Sequence, residues 1–261
     1  MLSLDSTIKD AIANNCVIAY SVSGGKDGTA ASLLVHDYLN AIHHTGPRVA
    51  IHADLGRIEH ADSLPQCSKL AARLGIELIV VRRTQGDMIS RWEQRWNDNK
   101  TRYTSLSCVK LIKPWSDDDG LFCRSELKIA PINRELTRRF PGQTIISVIG
   151  IRRQEGAKRA DKPISQPAPG LQKARAGTKG HVWHPILELT TEGAFAVPDR
   201  FQFPPHPAYT LNGNTRVSCS ACVLSSLHDL TASQNDERNH ASYQQIVALE
   251  LSSAFSFQPH C

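Results

Sequence analysis

The chain has 261 residues, of which 41% are hydrophobic and 21% are charged, and its Lys and Arg residues exceed Asp and Glu by five. These proportions are typical of a soluble globular protein, and the sequence contains no apolar run of about 18 residues, the minimum for a membrane helix. The N-terminal sequence lacks the features of a secretory signal, so we expect a cytoplasmic protein with no membrane partner. Its seven cysteines cannot all pair, which favours free thiols or metal ligands over a disulfide framework.

Strands and helices alternate along most of the sequence. Short apolar runs predict strands at 16–22, 48–53, 76–82, 144–149 and 183–187. Apolar residues at helical spacing predict helices at 27–43, 60–74, 87–97, 125–140, 225–232 and 235–254. This alternation predicts an α/β fold: a doubly wound, Rossmann-like parallel sheet of about five strands, followed by a C-terminal helical segment.

Two segments are poor in regular apolar patterns. Residues 161–180 are rich in Pro, Gly, Lys and Ala, which predicts a mobile loop or lid. Residues 198–214 contain four prolines and predict an irregular connector. We therefore expect an α/β domain over residues 1–200 and a separate C-terminal segment over residues 201–261.

A glycine-containing segment, Ser23-Gly-Gly-Lys-Asp-Gly-Thr29, joins the first predicted strand to the first predicted helix. Two glycines permit a tight turn, and the start of the helix offers free N–H groups and the positive end of its dipole. Lys26 adds a positive charge, and Ser23 and Thr29 add hydroxyl groups. The spacing is neither that of Walker A nor G-x-G-x-x-G. The segment predicts an anion site, and the alternative is a simple turn beside a surface lysine.

The segment SGGKDG after a strand resembles the pyrophosphate loop, usually SGGKDS, of the adenine-nucleotide alpha-hydrolase superfamily. Four further segments resemble its phosphoadenosine-phosphosulfate (PAPS) reductase branch, in the expected order: Asp54-Leu-Gly-Arg-Ile-Glu59, Leu127-Lys-Ile-Ala-Pro131, Gly150-Ile-Arg-Arg-Gln-Glu-Gly-Ala-Lys-Arg159 and Trp183-His-Pro-Ile186. Gly28 and Gly156 stand where the branch usually has serine. The resemblance covers roughly residues 16–190 and includes sequences from phages and DNA-modification clusters.

The resemblance implies that the chain binds ATP with Mg²⁺ and cleaves it between the α and β phosphates. Lys26, Arg152 and Arg159 would then stabilise phosphate charge, and Asp54 would hold Mg²⁺ or the ribose. The other nucleotide-binding positions implied are Ser21, Ser23, Gly24, Gly25, Asp27, Gly28, Thr29, Lys128, Gly150 and Glu155. Position alone leaves two alternatives open: Asp54 as the cap of a turn, and residues 150–159 as an exposed basic helix start.

Four cysteines are candidate metal ligands. Cys219 and Cys222 form a C-x-x-C pair, which indicates a redox pair, half of a metal site or neither. Cys123 stands five residues before Lys128, where the resemblance to adenosine-phosphosulfate reductases implies a cluster ligand, and Cys108 precedes Cys123 by fifteen residues. We expect these cysteines to hold a [4Fe–4S] cluster, either through all four thiolates or through three with one iron site left open, and structural zinc or unliganded thiols are the alternatives.

The remaining three cysteines have other expected roles. Cys16 and Cys67 fall in a predicted strand and helix, which indicates buried core residues. Cys261 is a thiol at the end of the sequence. It lacks the E-C-G-hydrophobic-H context in which PAPS reductases place their nucleophile, which disfavours thioredoxin-linked sulfate reduction.

Between Arg124 and Lys179, thirteen Lys and Arg outnumber four Asp and Glu, which indicates either a solvated face or a surface for phosphates or nucleic acid. With the resemblance, this predicts an ATP pyrophosphatase that adenylates an acceptor during DNA phosphorothioation or RNA thiolation. The expected partners are a nucleic-acid acceptor and a sulfur-donor protein such as a cysteine desulfurase. The alternatives are a PAPS or adenosine-phosphosulfate reductase, and a non-catalytic nucleotide-sensing subunit of a modification complex.

Overall fold

The computed structural model describes residues 2–116 and 120–258 of the chain, so Cys261 lies outside the described residues. The strands are β1 (Val17–Ser21), β2 (Arg48–Asp54), β3 (Glu77–Arg82), β4 (Thr144–Val148), β5 (Ser165–Pro167) and β6 (Lys179–Trp183). The helices are α1 (Ser6–Ala13), α2 (Lys26–Ala41), α3 (Ser63–Leu74), α4 (Met88–Thr104), α5 (Phe122–Arg124), α6 (Ala130–Arg139), α7 (Ala157–Ala160), α8 (Thr191–Arg200), α9 (Pro207–Thr210), α10 (Leu227–Gln234) and α11 (His240–Ser253). Within the described ranges, no helix is long and apolar enough to cross a membrane.

Six strands form one sheet in the order β3-β2-β1-β4-β6-β5. β1 pairs in parallel with β2 and β4, and β4 pairs in parallel with β6, whereas the edge strand β5 is antiparallel to β6. The strand order reverses between β1 and β4, and doubly wound sheets bind ligands beyond the carboxyl ends of the strands at such a point. The predicted α/β, doubly wound fold is confirmed, but the sheet has one strand more than the five expected.

The additional strand lies in the segment predicted to be a mobile loop. β5 pairs with β6, and two 3₁₀ turns follow it at Pro169–Leu171 and Ala174–Ala176. Leu171 is fully buried, and it fits closely against Gly180, where an added Cβ would lie 2.2 Å from the Leu171 Cβ. Strand pairing and one buried leucine thus give regular structure to a segment of low apolar content, contrary to the prediction.

The observed helix ends agree with the predicted ones where a capping residue is present in the sequence. Gly75 ends α3 in the left-handed conformation, with φ of +66°, as a glycine at this position predicts. α4 continues to Thr104, beyond the predicted end at Asn97, because its last turn is polar and has no apolar repeat to reveal it. The predicted helix 125–140 begins instead with a π-helical segment, Ser125–Ile129, before α6.

The structure divides into two compact units, each built from three segments. The first consists of Met1–Ala53, Asp62–Val81 and Ala130–His206, and the second of Asp54–Ala61, Arg82–Ile129 and Pro207–Cys261. The first unit contains most of the sheet, and its core includes Cys16 and Cys67, which confirms their predicted burial. The second has its own core around Trp92, Trp96 and Trp115. The division differs from the expected boundary at residue 200 because residues 54–61 and 82–129 pack with the C-terminal segment.

Candidate functional site

The predicted phosphate loop lies in the first unit, between β1 and α2. Gly24 has φ of +80°, and an added Cβ would lie 2.9 Å from Cδ2 of His206 and 3.3 Å from the carbonyl oxygen of Ser63. Glycine is therefore required at this position. Gly25 precedes α2 and gives it no side-chain cap, so the first turn offers backbone N–H groups at the positive end of the helix dipole. The loop has the backbone arrangement of an anion site.

Three charged side chains meet at the start of α2. Lys26 is 7% exposed, and its Nζ lies 3.4 Å from Oδ2 of Asp27 and 5.2 Å from the centre of the Phe195 ring. Arg152 is 4% exposed, and its Nε donates a hydrogen bond to Oδ1 of Asp27 at 2.6 Å. Asp27 therefore pairs with two buried cations at the N-terminal end of α2, where the helix dipole already favours anions.

Gly150 allows the chain after β4 to approach α2. A Cβ at Gly150 would lie 2.2 Å from the carbonyl oxygen of Asp27, so only glycine fits there. Arg152 follows two residues later, and it also donates from Nη1 to Oγ1 of Thr191 at 3.0 Å. Its backbone N–H donates to Oε1 of Glu155 at 2.7 Å. Glu155 thus fixes the backbone from which the Arg152 side chain reaches the loop.

Other predicted nucleotide-binding residues lie less directly at this site. Arg159 forms an ion pair with Glu155, so this guanidinium is placed against a carboxylate. Thr29 is buried and Ser23 is exposed. Oγ of Ser21 lies 3.3 Å from Oγ of Ser147, at the carboxyl end of β4. In the first unit the structure therefore brings together the loop, Lys26 and Arg152, and it places Arg159 in a separate pair.

Asp54 ends β2 and belongs to the second unit. Its Oδ1 accepts a hydrogen bond from the backbone N–H of Gly56 at 2.7 Å, and its Oδ2 accepts one from Nε of Arg82 at 2.7 Å. The carboxylate therefore caps a turn and pairs with an arginine, as the alternative interpretation of the sequence predicts. Across residues 2–116 and 120–258, no three His, Cys, Asp or Glu side chains are arranged to hold a metal ion.

Three of the four predicted metal-ligand cysteines gather around Lys128 in the second unit. Cys123, Cys219, Cys222 and Glu59 all interact electrostatically with the Lys128 ammonium group. Glu59 and Cys219 also pair through an isolated antiparallel β-bridge. Burial raises the pKa of the Cys219 thiol to about 12. The cysteines thus form a local group of thiols beside one cation, which we call the cysteine group.

The fourth predicted ligand, Cys108, is placed elsewhere. Its thiol contacts the carbonyl oxygen of Lys110 at 3.6 Å and Oδ1 of Asn99 at 4.0 Å, and it has no described contact with the cysteine group. Lys128 itself lies in the π-helical segment Ser125–Ile129. Such segments are rare and often occur at functional sites, but they have no sequence signature that would have predicted this one.

Ion pairs occupy much of the predicted basic surface. Arg138 and Arg139 both pair with Glu135 at 2.7 Å, and Arg153 pairs with Glu188 at the same distance. Paired cations are weaker attractants for phosphate than free ones, because the neighbouring carboxylate offsets their charge. The count of basic residues between Arg124 and Lys179 therefore overstates the positive potential of this surface.

The sequence analysis missed three residues that surround the loop. Thr191, Phe195 and His206 contact Arg152, Lys26 and Gly24 respectively. Thr191 and Phe195 lie in α8, which was not predicted. A signal was present, because Thr190 caps this helix by accepting a hydrogen bond from the N–H of Gly193 at 3.1 Å. His206 lies among prolines, where nothing in the sequence indicates a contact with the loop.

The doubly wound sheet, with a glycine loop and two buried cations at its switch point, defines a nucleotide-binding α/β protein. A family model described as the phosphoadenosine phosphosulfate reductase domain matches residues 17–224, and the chain belongs to this family. Membership supports a nucleotide-dependent role in sulfur chemistry. The chain is also 26% identical, over 90% of its length and 77% of the relative, to an uncharacterized 37.8 kDa protein in the gpa 5′ region of Escherichia phage 186.

Three solved structures are similar to this chain at low sequence identity. PAPS reductase from Candida auris, in a phosphate complex, is 13% identical with a TM-score of 0.46, over 83% of this chain and 96% of that one. The U34-tRNA thiolase NcsA from Methanococcus maripaludis, with its [4Fe–4S] cluster, is 18% identical with a TM-score of 0.48, over 95% and 74%. NAD⁺ synthetase from Burkholderia pseudomallei is 14% identical with a TM-score of 0.37, over 94% and 92%. These similarities assign no role to any residue of this chain.

Proposed function

We propose that this protein binds Mg–ATP in the loop Ser23–Thr29 and cleaves it between the α and β phosphates. The cleavage would adenylate an acceptor and serve the incorporation of sulfur into nucleic acid, as in DNA phosphorothioation or RNA thiolation. The observation that supports this proposal is the placement of two buried cations, Lys26 and Arg152, at the uncapped start of α2.

The reaction would use these groups to stabilise the leaving pyrophosphate. An oxygen of the acceptor attacks the α-phosphorus, the bond from this atom to the bridging oxygen breaks, and its electron pair leaves on pyrophosphate. Lys26, Arg152 and the amides of the first turn of α2 face negative charge that grows as this bond breaks. Mg²⁺ would enter with the nucleotide.

The cysteine group would hold a [4Fe–4S] cluster through Cys123, Cys219 and Cys222. The donor set fits in its chemistry, because cysteine thiolates are the usual ligands of such clusters and the ammonium group of Lys128 offsets their charge. Among the described residues the three thiols are not arranged around a single metal ion, so the fit is one of chemistry and not of geometry. When bound, the cluster would supply a site that accepts sulfur from a donor protein such as a cysteine desulfurase. Cys108 is not needed, so the proposal follows the three-ligand alternative.

Metal analysis of anaerobically purified protein tests this part of the proposal. Iron, acid-labile sulfide and an absorbance band near 400 nm are expected in the wild type, and Cys222→Ser should lose them. The matched variant Cys108→Ser should keep the iron content of the wild type. Stoichiometric zinc without iron, or loss of iron in Cys108→Ser, would contradict the three-cysteine cluster.

A second candidate function is reduction of a sulfonucleotide. The family match over residues 17–224 favours it, because the matching model describes the PAPS reductase domain. Release of sulfite from PAPS or adenosine phosphosulfate, in the presence of a reductant, would support this function over ATP cleavage.

Pyrophosphate release from Mg–ATP, measured with and without DNA and RNA, tests the main proposal. Lys26→Ala should lower the rate by about 100-fold or more, because it removes a cation from the leaving group. Lys69→Ala removes an exposed lysine of the same unit and should keep the wild-type rate. No release with any acceptor would overturn the proposal and favour a nucleotide-sensing subunit.

A further inference from the structure

α8 makes a second contact with each of the two buried cations beside the phosphate loop. Its first residue, Thr191, accepts a hydrogen bond at Oγ1 from Nη1 of Arg152 at 3.0 Å. Four residues later, the centre of the Phe195 ring lies 5.2 Å from Nζ of Lys26. Residues four apart lie on the same face of a helix, so one face of α8 contacts both cations.

α8 is itself held in place within the first unit. Thr190 caps the helix by accepting a hydrogen bond from the N–H of Gly193 at 3.1 Å. Ala194 and Val197 are buried, Val197 belongs to the core of the first unit, and the helix packs against α2. A helix fixed by its cap and by the core is a rigid support for the side chains that it presents.

The Thr191 hydroxyl is oriented by a second residue. Its O–H donates a hydrogen bond to Oε1 of Gln154 at 3.2 Å, and the backbone N–H of Thr191 donates to the same oxygen at 2.8 Å. Nη1 of Arg152 also donates to this oxygen, at 3.3 Å. Because the hydroxyl proton is directed to Gln154, the lone pairs of the Thr191 oxygen are left to accept from the guanidinium group.

The contacts from α8 differ in charge from the contacts that Asp27 makes. Asp27 pairs with Lys26 and Arg152 through a carboxylate, which offsets one of their two positive charges. A hydroxyl oxygen and an aromatic ring have no net charge, so they hold the cations and leave their charge available to an anion. Glu192 also interacts electrostatically with Arg152, but it is exposed, where water and salt screen its charge.

We propose that Thr191 and Phe195 are positioning residues of the phosphate site, which hold Arg152 and Lys26 at the start of α2 before a diphosphate group binds. Arginine and lysine have long side chains with many rotamers, and holding them in advance reduces the entropy that is lost on binding. The inference rests on the proposed function for the location of the phosphate site, but it does not require that ATP is cleaved.

Binding of inorganic pyrophosphate with Mg²⁺, measured by isothermal titration calorimetry, tests the role of Thr191. Thr191→Val keeps the shape of the side chain but removes the hydroxyl, and it should weaken binding about fivefold. Thr191→Ser keeps the hydroxyl and should bind like the wild type. Thr137→Val is the control, because it removes a hydroxyl that donates to carbonyl oxygens of its own helix, α6. Unchanged affinity in Thr191→Val, or an equal loss in Thr191→Ser, would overturn this role.

An Arg152→Lys background distinguishes positioning of Arg152 from general support of the fold. Lysine keeps the positive charge but has no Nη1 to donate to Thr191. In this background, Thr191→Val should weaken pyrophosphate binding by less than about twofold, because the contact that it removes is already absent. Equal weakening in both backgrounds would show that Thr191→Val acts through the fold and would overturn the inference for Thr191.

The role of Phe195 is tested by the same measurement. Phe195→Leu keeps an apolar side chain but removes the ring, and it should weaken pyrophosphate binding about threefold. Phe195→Tyr keeps the ring and should bind like the wild type. Phe140→Leu is the control, because it removes a ring that packs in a separate core of the first unit. Unchanged affinity in Phe195→Leu, or an equal loss in Phe195→Tyr, would overturn the role of Phe195.

Thermal unfolding of each variant establishes that it folds like the wild type, and pyrophosphate release from Mg–ATP on the same samples separates the two proposals. Pyrophosphate binding that depends on Thr191 and Phe195, in a protein that releases no pyrophosphate, would support the positioning roles and reject the ATP pyrophosphatase. Release from ATP with unchanged affinity in Thr191→Val and Phe195→Leu would do the opposite. A wild-type protein that does not bind pyrophosphate would overturn the inference.

Discussion

Gly28 and Gly156 both stand where related sequences usually have serine, but their backbones differ. At Gly28, in the first turn of α2, an added Cβ would meet only the carbonyl oxygen of Ser21, at the ordinary contact distance of 3.5 Å. At Gly156 nothing lies within 4 Å, but its φ of +138° belongs to a region that side chains rarely adopt. Both positions have room for a serine side chain. They differ in the backbone conformation that the serine would have to adopt.

Gly28→Ser should therefore raise the free energy of unfolding by about 0.5 kcal/mol, because serine is favoured over glycine within a helix. Gly156→Ser should lower it by about 1–3 kcal/mol, because the serine would have to adopt a strained backbone conformation. Urea unfolding followed by circular dichroism measures both changes. A decrease for Gly28→Ser, or an unchanged value for Gly156→Ser, would contradict this reasoning.

The sequence predicts where the loop residues lie better than it predicts the contacts of residues whose neighbours come from distant segments. Lys26 and Arg152 were predicted from motifs, and the structure places both beside Asp27. The contact of Asp54 with Arg82 and that of Cys108 with Asn99 depend on where other segments lie, which no local pattern indicates. The positions of Lys26 and Arg152 beside the loop could be predicted, whereas the final neighbours of Asp54 and Cys108 could not, and the chemical roles of all four stay predictions.

At the scale of elements, the carboxylate of Asp87 links α4 to the turn Gly56–Ile58 through hydrogen bonds. Asp87 caps α4 by accepting a hydrogen bond from the N–H of Ser90 at 2.9 Å. It also accepts two from Arg57, from Nε at 2.6 Å and from Nη2 at 2.7 Å. Burial acts to raise the pKa of Asp87, but the hydrogen bonds from Arg57 and Ser90 outweigh it and hold the pKa well below its usual range.

Asp87→Asn should lower the free energy of unfolding by about 1 kcal/mol at pH 7, because asparagine keeps the helix cap but loses the ion pair with Arg57. The folded-state pKa is lower than the unfolded value of about 4, so the stabilisation is complete above pH 4. It is lost as the pH falls from there through the folded-state pKa. Urea unfolding between pH 7 and pH 2 should show the difference from wild type shrink.

Asp98→Asn is the control, because Asp98 is exposed on the same helix and should change the free energy of unfolding by less than about 0.5 kcal/mol. A difference between wild type and Asp87→Asn that stays constant or grows toward low pH would show that the ion pair is not its cause.

Long elements with clear ends were predictable, and short or irregular ones were not. α2 and α3 have apolar repeats and flanking glycines, and the structure places them close to the predicted ranges. β5 has only three residues, and it exists because β6 lies beside it. The π-helical segment that contains Lys128 likewise depends on packing that a local pattern does not encode.

At the scale of the whole molecule, the core of the second unit joins distant parts of the sequence. The rings of Trp92 and Trp115 lie 5.6 Å and 5.3 Å from the Phe257 ring, and that of Trp96 lies 6.2 Å from the Phe255 ring. Residues near the C-terminal end of the described structure thus complete a core that begins before residue 100.

A chain that ends at His206 should therefore lose this core. We expect its tryptophan fluorescence to shift to the red, because Trp92, Trp96 and Trp115 are at most 5% exposed in the full structure and would become solvated. A chain that ends at Gln258 keeps every described core residue and should emit like the full protein. An unshifted spectrum for the shorter chain would instead support the domain boundary predicted at residue 200.

The interleaving of the two units has a consequence for synthesis in the cell. Residues 54–61 and 82–129 leave the ribosome before the segment that starts at Pro207, although they share a unit with it. At roughly 5–20 residues per second, these segments emerge several seconds before the residues that complete their core are made. During that interval the nascent chain exposes three tryptophans that other chains can bind. The rate of translation, and the chaperones present at that stage, then decide how much of the protein accumulates in folded form.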